Sequence, residues 1–331
     1  MPAAPNRRAV AVILLVPLIV TLSLWAFSWP AARIAPRDLP VGVAGAAPAA
    51  DQLQSRFEQR EGAFEIHRYA DEAAARAAIE DRVVYGAVAV TGKGPQLLTA
   101  SAASPVVAQL LTEAVKASAP AGTAVPVTDV VAAPEADPRG AALGASLLPL
   151  ALAGVAAGAL VTVTGLRGAR AAVTLAGASA LVGIAATAIA HSWLGVVTGD
   201  WWTEAGAIGL TVLAIASAVG GLAALLGPKG IGVGALLMVL LGNSFSGLTS
   251  APQLLPEPAG LIGQWLPPGA GGSLLRSVAF FDGAAAGGAA LTLAAWSAVG
   301  LAALLAGACR RPEPGAPAEP SAERREPALT S

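Results

Sequence analysis

The strongest constraint on the fold is where charge is missing. From residue 141 to residue 309 the chain carries eight charged side chains: Arg167, Arg170, Asp200, Glu204, Lys229, Glu257, Arg276 and Asp282. A soluble domain is about 25% charged, so this half has too few hydrated groups for water and reads as membrane. A second uncharged run, 10–29, lies near the N-terminus. At about 20 residues and 1.5 Å per residue it matches the ~30 Å hydrocarbon core of a bilayer. Arg7 and Arg8 precede it, and Trp25 and Trp29 lie at its far end. Basic residues favour the cytoplasmic side, and tryptophan favours the interface. The run therefore reads as a retained first span, residues 1–9 being cytoplasmic. It is longer than the apolar core of about 7–15 residues in a cleaved signal.

The intervening segment, 33–139, has ordinary charge and the pattern of an α/β unit. Leu39–Gly45 is a short apolar strand ending in glycine, and 63–69 alternates apolar and polar residues at period two. Further strands are expected at 83–90, 96–101 and 125–131. Helices are expected at 49–61, at 72–82 with Asp71 as N-cap, and at 105–117 behind Ser104 and Pro105. Alternating strands and helices imply a partly parallel sheet covered by helices. His67 is a lone histidine without metal-ligand spacing around it. The single cysteine, Cys309, excludes an internal disulfide and a thiolate metal cluster, and a net charge of −1 gives no reason to expect a nucleic-acid partner.

In the charge-poor half, spans are expected at 143–164, 173–196, 205–226, 231–249 and 284–306, six in all with the first. The fold class is thus an α-helical integral membrane protein with an extracytoplasmic α/β domain inserted between its first and second spans. Orientation follows from the loops. Arg7 and Arg8, Arg167 and Arg170, Lys229, and Arg310 and Arg311 all fall on one side, whereas the loop GDWWTE on the other is acidic and aromatic. Both termini are then cytoplasmic and the α/β domain lies outside. The tail 309–331, rich in Pro, Glu and Ala, is expected to be disordered. High Ala and Gly content points to a GC-rich bacterial source, hence the plasma membrane.

The connection 251–282 is too apolar for free solution and too broken by Pro and Gly to span. Two short helices, 254–266 and 273–281, are expected around a turn at 267–272, with Ser273 as N-cap. Broken backbone at membrane depth survives only where protein buries it or it lines a wet cavity. The segment reads as a re-entrant or interface-lying hairpin. The residues singled out here are Asn243, Pro267, Pro268, Gly269, Arg276 and Asp282.

No catalytic constellation is present, and the chain is not expected to be an enzyme or to hold a metal or cofactor. It has no GxxxxGK[ST] phosphate loop, and two histidines leave little for a hydrolytic triad. No ionisable residue falls in mid-span. His191 reads as an interface residue bonded to a neighbouring helix, and Asn243 as an interhelical hydrogen-bond donor. Glycines four residues apart, as in Gly154/Gly158 and Gly230/Gly234, suit close helix packing or a homodimer.

The order of parts resembles the ABC-2 type transporter permeases, in the branch of phage-infection-protein-like membrane proteins. The resemblance rests on Leu39–Gly45 and on 71–90 and 100–115 in the α/β segment. In the membrane half it rests on GNSFSGLTSAPQLLP at 242–256 and WLPPGAGGSLLRSVAFFDGA at 265–284. It implies an export permease for an amphipathic or envelope-directed compound. The permease pairs as a homodimer or heterodimer, and a separate cytoplasmic ATP-binding subunit drives it. Arg167 and Arg170 would meet that subunit. Such permeases usually offer it a helix between the second and third spans, whereas here the loop is only 165–170. The alternative is a non-transporting envelope protein whose outer domain binds a partner.

Overall fold

The computed structural model describes residues 4–92, 94–118 and 125–308; the expected tail, 309–331, lies outside the described residues. Helix α1 spans Ala4–Ala31. It is followed by β1 (Leu39–Gly45), α2 (Ala47–Glu58), β2 (Phe64–Tyr69), α3 (Glu72–Glu80), β3 (Gly86–Thr91), β4 (Gly94–Thr99), α4 (Pro105–Ser118) and β5 (Val127–Asp129). The sheet order is β2-β1-β3-β4-β5. β1 pairs in parallel with β2 and β3, β3 and β4 form an antiparallel pair, and β5 joins β4 in parallel. β1 and β3 are the apolar runs, buried almost throughout, whereas the alternating β2 takes an edge.

Both faces of the sheet are covered, which is why its central strands are apolar throughout. On one face Ala75, Ala78 and Ile79 of α3 pack against Ala44, Ala87, Ala89 and Leu98, together with Phe281 from far along the chain. On the other, Val107 and Leu111 of α4 pack against Leu39, Val41, Val88 and Leu97, together with Ala251 and Leu254. Both cores are therefore completed by the connection 251–282, which holds the sheet domain to the helices.

The remaining helices are α5 (Ala141–Val163), α6 (Gly168–Thr187), α7 (Trp201–Leu226), α8 (Pro228–Ala235), α9 (Ala259–Trp265), α10 (Pro267–Phe280) and α11 (Ala286–Ala308). π-helical stretches extend α6 through Ala188–Trp193 and α8 through Leu236–Asn243. Among the described residues five helices are long and apolar enough to cross a membrane: Ala9–Ala31, Ala141–Val163, Gly168–Trp193, Trp201–Leu226 and Ala286–Gly307. This is a helical, multi-pass membrane protein with a small sheet domain. The span expected over 231–249 is the shorter apolar helix Pro228–Asn243, which reaches about 24 Å. It stops there because the chain turns back into the buried segment leading to α9.

Helix α7 is the axis of the bundle. Sixteen of its 26 residues are buried, against six of 23 in α5 and five of 20 in α6. Gly154 and Gly158 meet α7 at Ile215 and Ala216, Gly230 and Gly234 meet it at Leu222 and Val219, and Gly300 meets Ser217. These close approaches run in parallel for α5 and in antiparallel for α8. The small faces seen in the sequence thus serve packing within one chain. α1, by contrast, is only slightly buried. It is attached near its end by stacked Trp25 and Trp29, 5.4 Å apart, with Phe245 edge-on at 6.3 and 6.2 Å. The expected outer loop GDWWTE is in fact the start of α7: Asp200 caps Thr203 N at 2.9 Å, and Glu204 lies inside the first turn.

The helix ends differ in chemistry. All seven tryptophans (25, 29, 193, 201, 202, 265 and 296) lie in the half of the bundle nearest the sheet domain. Trp296, the one furthest along its helix, still reaches α9, donating Nε1–H to the Trp265 carbonyl at 2.8 Å. Arg167, Arg170 and Lys229 lie at the opposite ends of α5, α6 and α7.

Candidate functional site

The site forms where the sheet domain, α9, α10 and α11 meet, and α10 organises it. Residues 267–272, expected as a turn with Ser273 capping the next helix, are instead the opening turns of α10, with Leu266 as N-cap. Proline at the first helical positions lacks only an N–H that has no intrahelical acceptor, so Pro267 and Pro268 start a helix readily. The small residues that follow let α10 sink into the bundle. A Cβ on Gly269 would come 2.1 Å from the Gly263 carbonyl, and one on Gly271 2.3 Å from Thr211 of α7. Pro268 sits against Gly242 in the same way. Twelve of the 14 residues of α10 are buried. Ser273, inside the helix, donates to Gln264 Oε1 at 2.5 Å, and Gln264 donates to the Ser246 carbonyl at 2.9 Å.

One of the buried residues of α10 is Arg276, 5% exposed. Its Nη2 donates to the Leu248 carbonyl at 2.7 Å, while its Nε is buried without a partner. Burial and, to a lesser extent, the nearby Arg82 cation push its pKa down to about 10, with Tyr85 opposing the shift. A buried cation without a counter-ion is costly.

Arg82 reaches the same place from the sheet domain. Val83 N bonds the Ala78 carbonyl and Arg82 N the Ile79 carbonyl, closing α3 in a Schellman arrangement. Arg82 holds the left-handed position of that motif, at φ 59°, where glycine is usual. Its Nη1 donates to the Ser273 carbonyl at 3.1 Å and to Ser277 Oγ, and its guanidinium lies 5.3 Å from the centre of the Phe281 ring. Burial lowers its pKa. Tyr85 donates to Gln253 Oε1 at 2.9 Å, and its own pKa is raised by burial.

Arg82, Tyr85, Gln253, Gln264, Ser273 and Arg276 line a cavity of about 510 Å³. The rest of its wall is mostly apolar, with Trp265 of α9, Ala285 just before α11, Gly288 and Ala289 within it, and Val83, Val84 and Ala103 of the sheet domain; Thr292 of α11 adds one hydroxyl. Among the described residues no carboxylate lines it. The ion pairs among the described residues are His67–Glu65, Arg68–Asp51, Arg76–Glu72 and His191–Glu204, and neither Arg82 nor Arg276 belongs to one. The arrangement is a half-apolar chamber whose charge is positive and uncompensated.

Of the residues singled out from sequence, Pro267, Pro268 and Gly269 seat α10, and Arg276 faces the cavity. Asn243 ends the π-helical stretch; its carbonyl accepts from Ser246, and no side-chain hydrogen bond of Asn243 occurs among the described residues. Asp282 is exposed in the turn after α10, away from the cavity. Arg167 and Arg170 are exposed at the opposite end of the bundle, where only 164–167 separate α5 from α6. His191 does bond a neighbouring helix: its Nδ1 lies 2.9 Å from Glu204 Oε2, while Glu204 Oε1 accepts from Gly199 N at 2.8 Å. Among the described residues no group of three or more His, Cys, Asp or Glu converges as a metal site.

Sequence reasoning missed Arg82, Tyr85, Gln253 and Gln264. The available signal was at Arg82, a helix end followed by a strand with no glycine between them. Comparison with protein-family models, with curated proteins and with solved structures finds no match to this chain.

Proposed function

We propose that the chain is the permease subunit of an ABC-type exporter, moving an amphipathic or envelope-directed compound outward while a separate subunit hydrolyses ATP. The observation that carries this reading is the junction. A discontinuous hairpin, bedded against the central helix α7, completes both cores of the sheet domain and encloses a partly polar cavity. A simple membrane anchor needs none of this; a path for an amphiphile needs a cavity with one polar and one apolar wall. In this reading Pro228–Asn243 serves as a sixth, short span. The sheet domain is extracytoplasmic, both termini are cytoplasmic in a bacterial plasma membrane, and two permease chains pair.

A second reading, a non-transporting envelope protein whose sheet domain binds a partner, draws on the brevity of 164–167. That loop, with Arg167 and Arg170, offers an ATPase little surface. Affinity purification from native membranes decides between the two. Under the permease reading, a Walker-motif ATPase travels with the chain, Arg167→Glu with Arg170→Glu releases it, and deletion of the chain alters efflux. Purification without an ATPase, combined with unchanged efflux on deletion, would leave the second reading standing.

A further inference from the structure

We infer that the cavity between the sheet domain and α9–α11 binds the anionic headgroup of an amphiphile, a phosphate or carboxylate, with the attached apolar chain lying along the start of α11. This deepens the permease reading by naming the class of compound handled, but the binding step needs no ATPase and can be tested without one. Three independent features meet here. Arg276 is buried, lines the cavity and keeps an Nε without any hydrogen-bond partner. Arg82 accepts a left-handed backbone, which for a side-chain-bearing residue is unfavourable and tends to persist at functional positions. Among the described residues no carboxylate lines the cavity to neutralise either cation.

Shape narrows the ligand further. The cavity volume suits a small-molecule headgroup. Its polar groups come from the end of α3 and the hairpin, through Arg82, Tyr85, Gln253 and Arg276; the α11 side is Ala285, Gly288 and Ala289, with Thr292 beyond them donating its hydroxyl to the Gly288 carbonyl. Trp265, largely exposed at the wall, is a side chain that favours the headgroup level of a bilayer. A free inorganic anion would use the arginines but not the apolar wall. An uncharged amphiphile would use the wall and leave both guanidiniums uncompensated. Only a ligand with both parts uses the whole chamber.

The test uses the full chain, purified in an uncharged detergent, and reads binding by displacement of a fluorescent anionic lipid. The competitors are phosphatidylglycerol, oleate, phosphatidylcholine and inorganic phosphate. Phosphatidylglycerol or oleate should compete at least about tenfold better than phosphatidylcholine, since hydrogen bonds to charged groups carry differences of that size. Arg82→Gly relieves the left-handed backbone while removing the guanidinium. Gly288→Trp fills the mouth from a position where an added Cβ meets open space. Each should weaken anionic-lipid binding about tenfold, whereas Lys229→Gln, at an exposed cation of the distal end, should not. Arg276→Gln should do the same if it folds; if it does not, the other two variants decide. Equal competition by phosphatidylcholine overturns the proposal, as does wild-type binding in both Arg82→Gly and Gly288→Trp. Inorganic phosphate competing as well as the lipids would assign the site to a free anion and overturn the amphiphile.

Discussion

Arg276 shows how a single residue can carry an energetic debt. Its folded pKa is pushed down to about 10, below that of a free guanidinium. Between those values the unfolded chain binds more protons, so this residue makes stability rise with pH there. Tyr85, held protonated above its ordinary 10.0, makes stability fall with rising pH in the same range. An anion between Arg82 and Arg276 relieves the charge only while the guanidiniums are protonated. Adding anionic lipid should therefore raise the Tm of the purified protein at neutral pH, and the gain should shrink as pH rises past about 10. A gain that persists undiminished well above that value would rule out the guanidinium charge as its source. Arg276 is conspicuous in the sequence because it is the one cation in an apolar hairpin. Arg82 is not, since a charge at the end of 72–82 looks like any solvated helix terminus. Only the backbone turn reveals that it points into the junction.

Elements here are held by few, specific contacts. The N-terminus of α5 has no side-chain N-cap at Gly140; Asp137 supplies it from three residues earlier, accepting from Ala141, Ala142 and Leu143 N at 2.8, 2.9 and 3.1 Å. Asp137→Ala should lower stability by about 1–2 kcal/mol, read as a fall in Tm. The seat of α9 depends on Gly263, where a Cβ would lie 1.7 Å from the Phe245 carbonyl. Gly263→Ala should displace α9, costing about 1–3 kcal/mol and, through Gln264 and Trp265, weakening lipid binding. If Gly263→Ala matches wild type in both Tm and binding, the packing described at α9 is wrong. β1 and α3 are readable because local pattern decides them: period-two or continuous apolar runs, and Asp71 as a cap. α10 is misread from sequence because Pro-Pro-Gly is locally a turn. It is helical because Thr211 and Leu248, both remote in sequence, and the nearby Gly263 close around its small residues.

For the whole molecule, hydropathy locates the long helices but cannot rank them. α5, α6, α7 and α11 are apolar all round, so no stripe reveals which one the others surround. That α7 is central follows from glycines on its neighbours, whose partners the sequence does not identify. α1, the longest uncharged run near the N-terminus, contributes little to the bundle beyond Trp25 and Trp29 against Phe245. Trp25→Ala, at a half-exposed position, should therefore leave the Tm of the sheet domain and bundle nearly unchanged while making α1 more accessible to protease near Ala31. A large fall in Tm would instead make α1 an integral member of the bundle.

The one-sided placement of the tryptophans gives the protein an optical polarity. Every indole lies in the domain-side half, so intrinsic emission reports on one leaflet alone. In sealed right-side-out vesicles iodide, which does not cross the bilayer, should quench a large share of that emission when added outside. It should quench little when trapped within. The reverse result would place the sheet domain in the cytoplasm, so the unlabelled chain registers its own orientation.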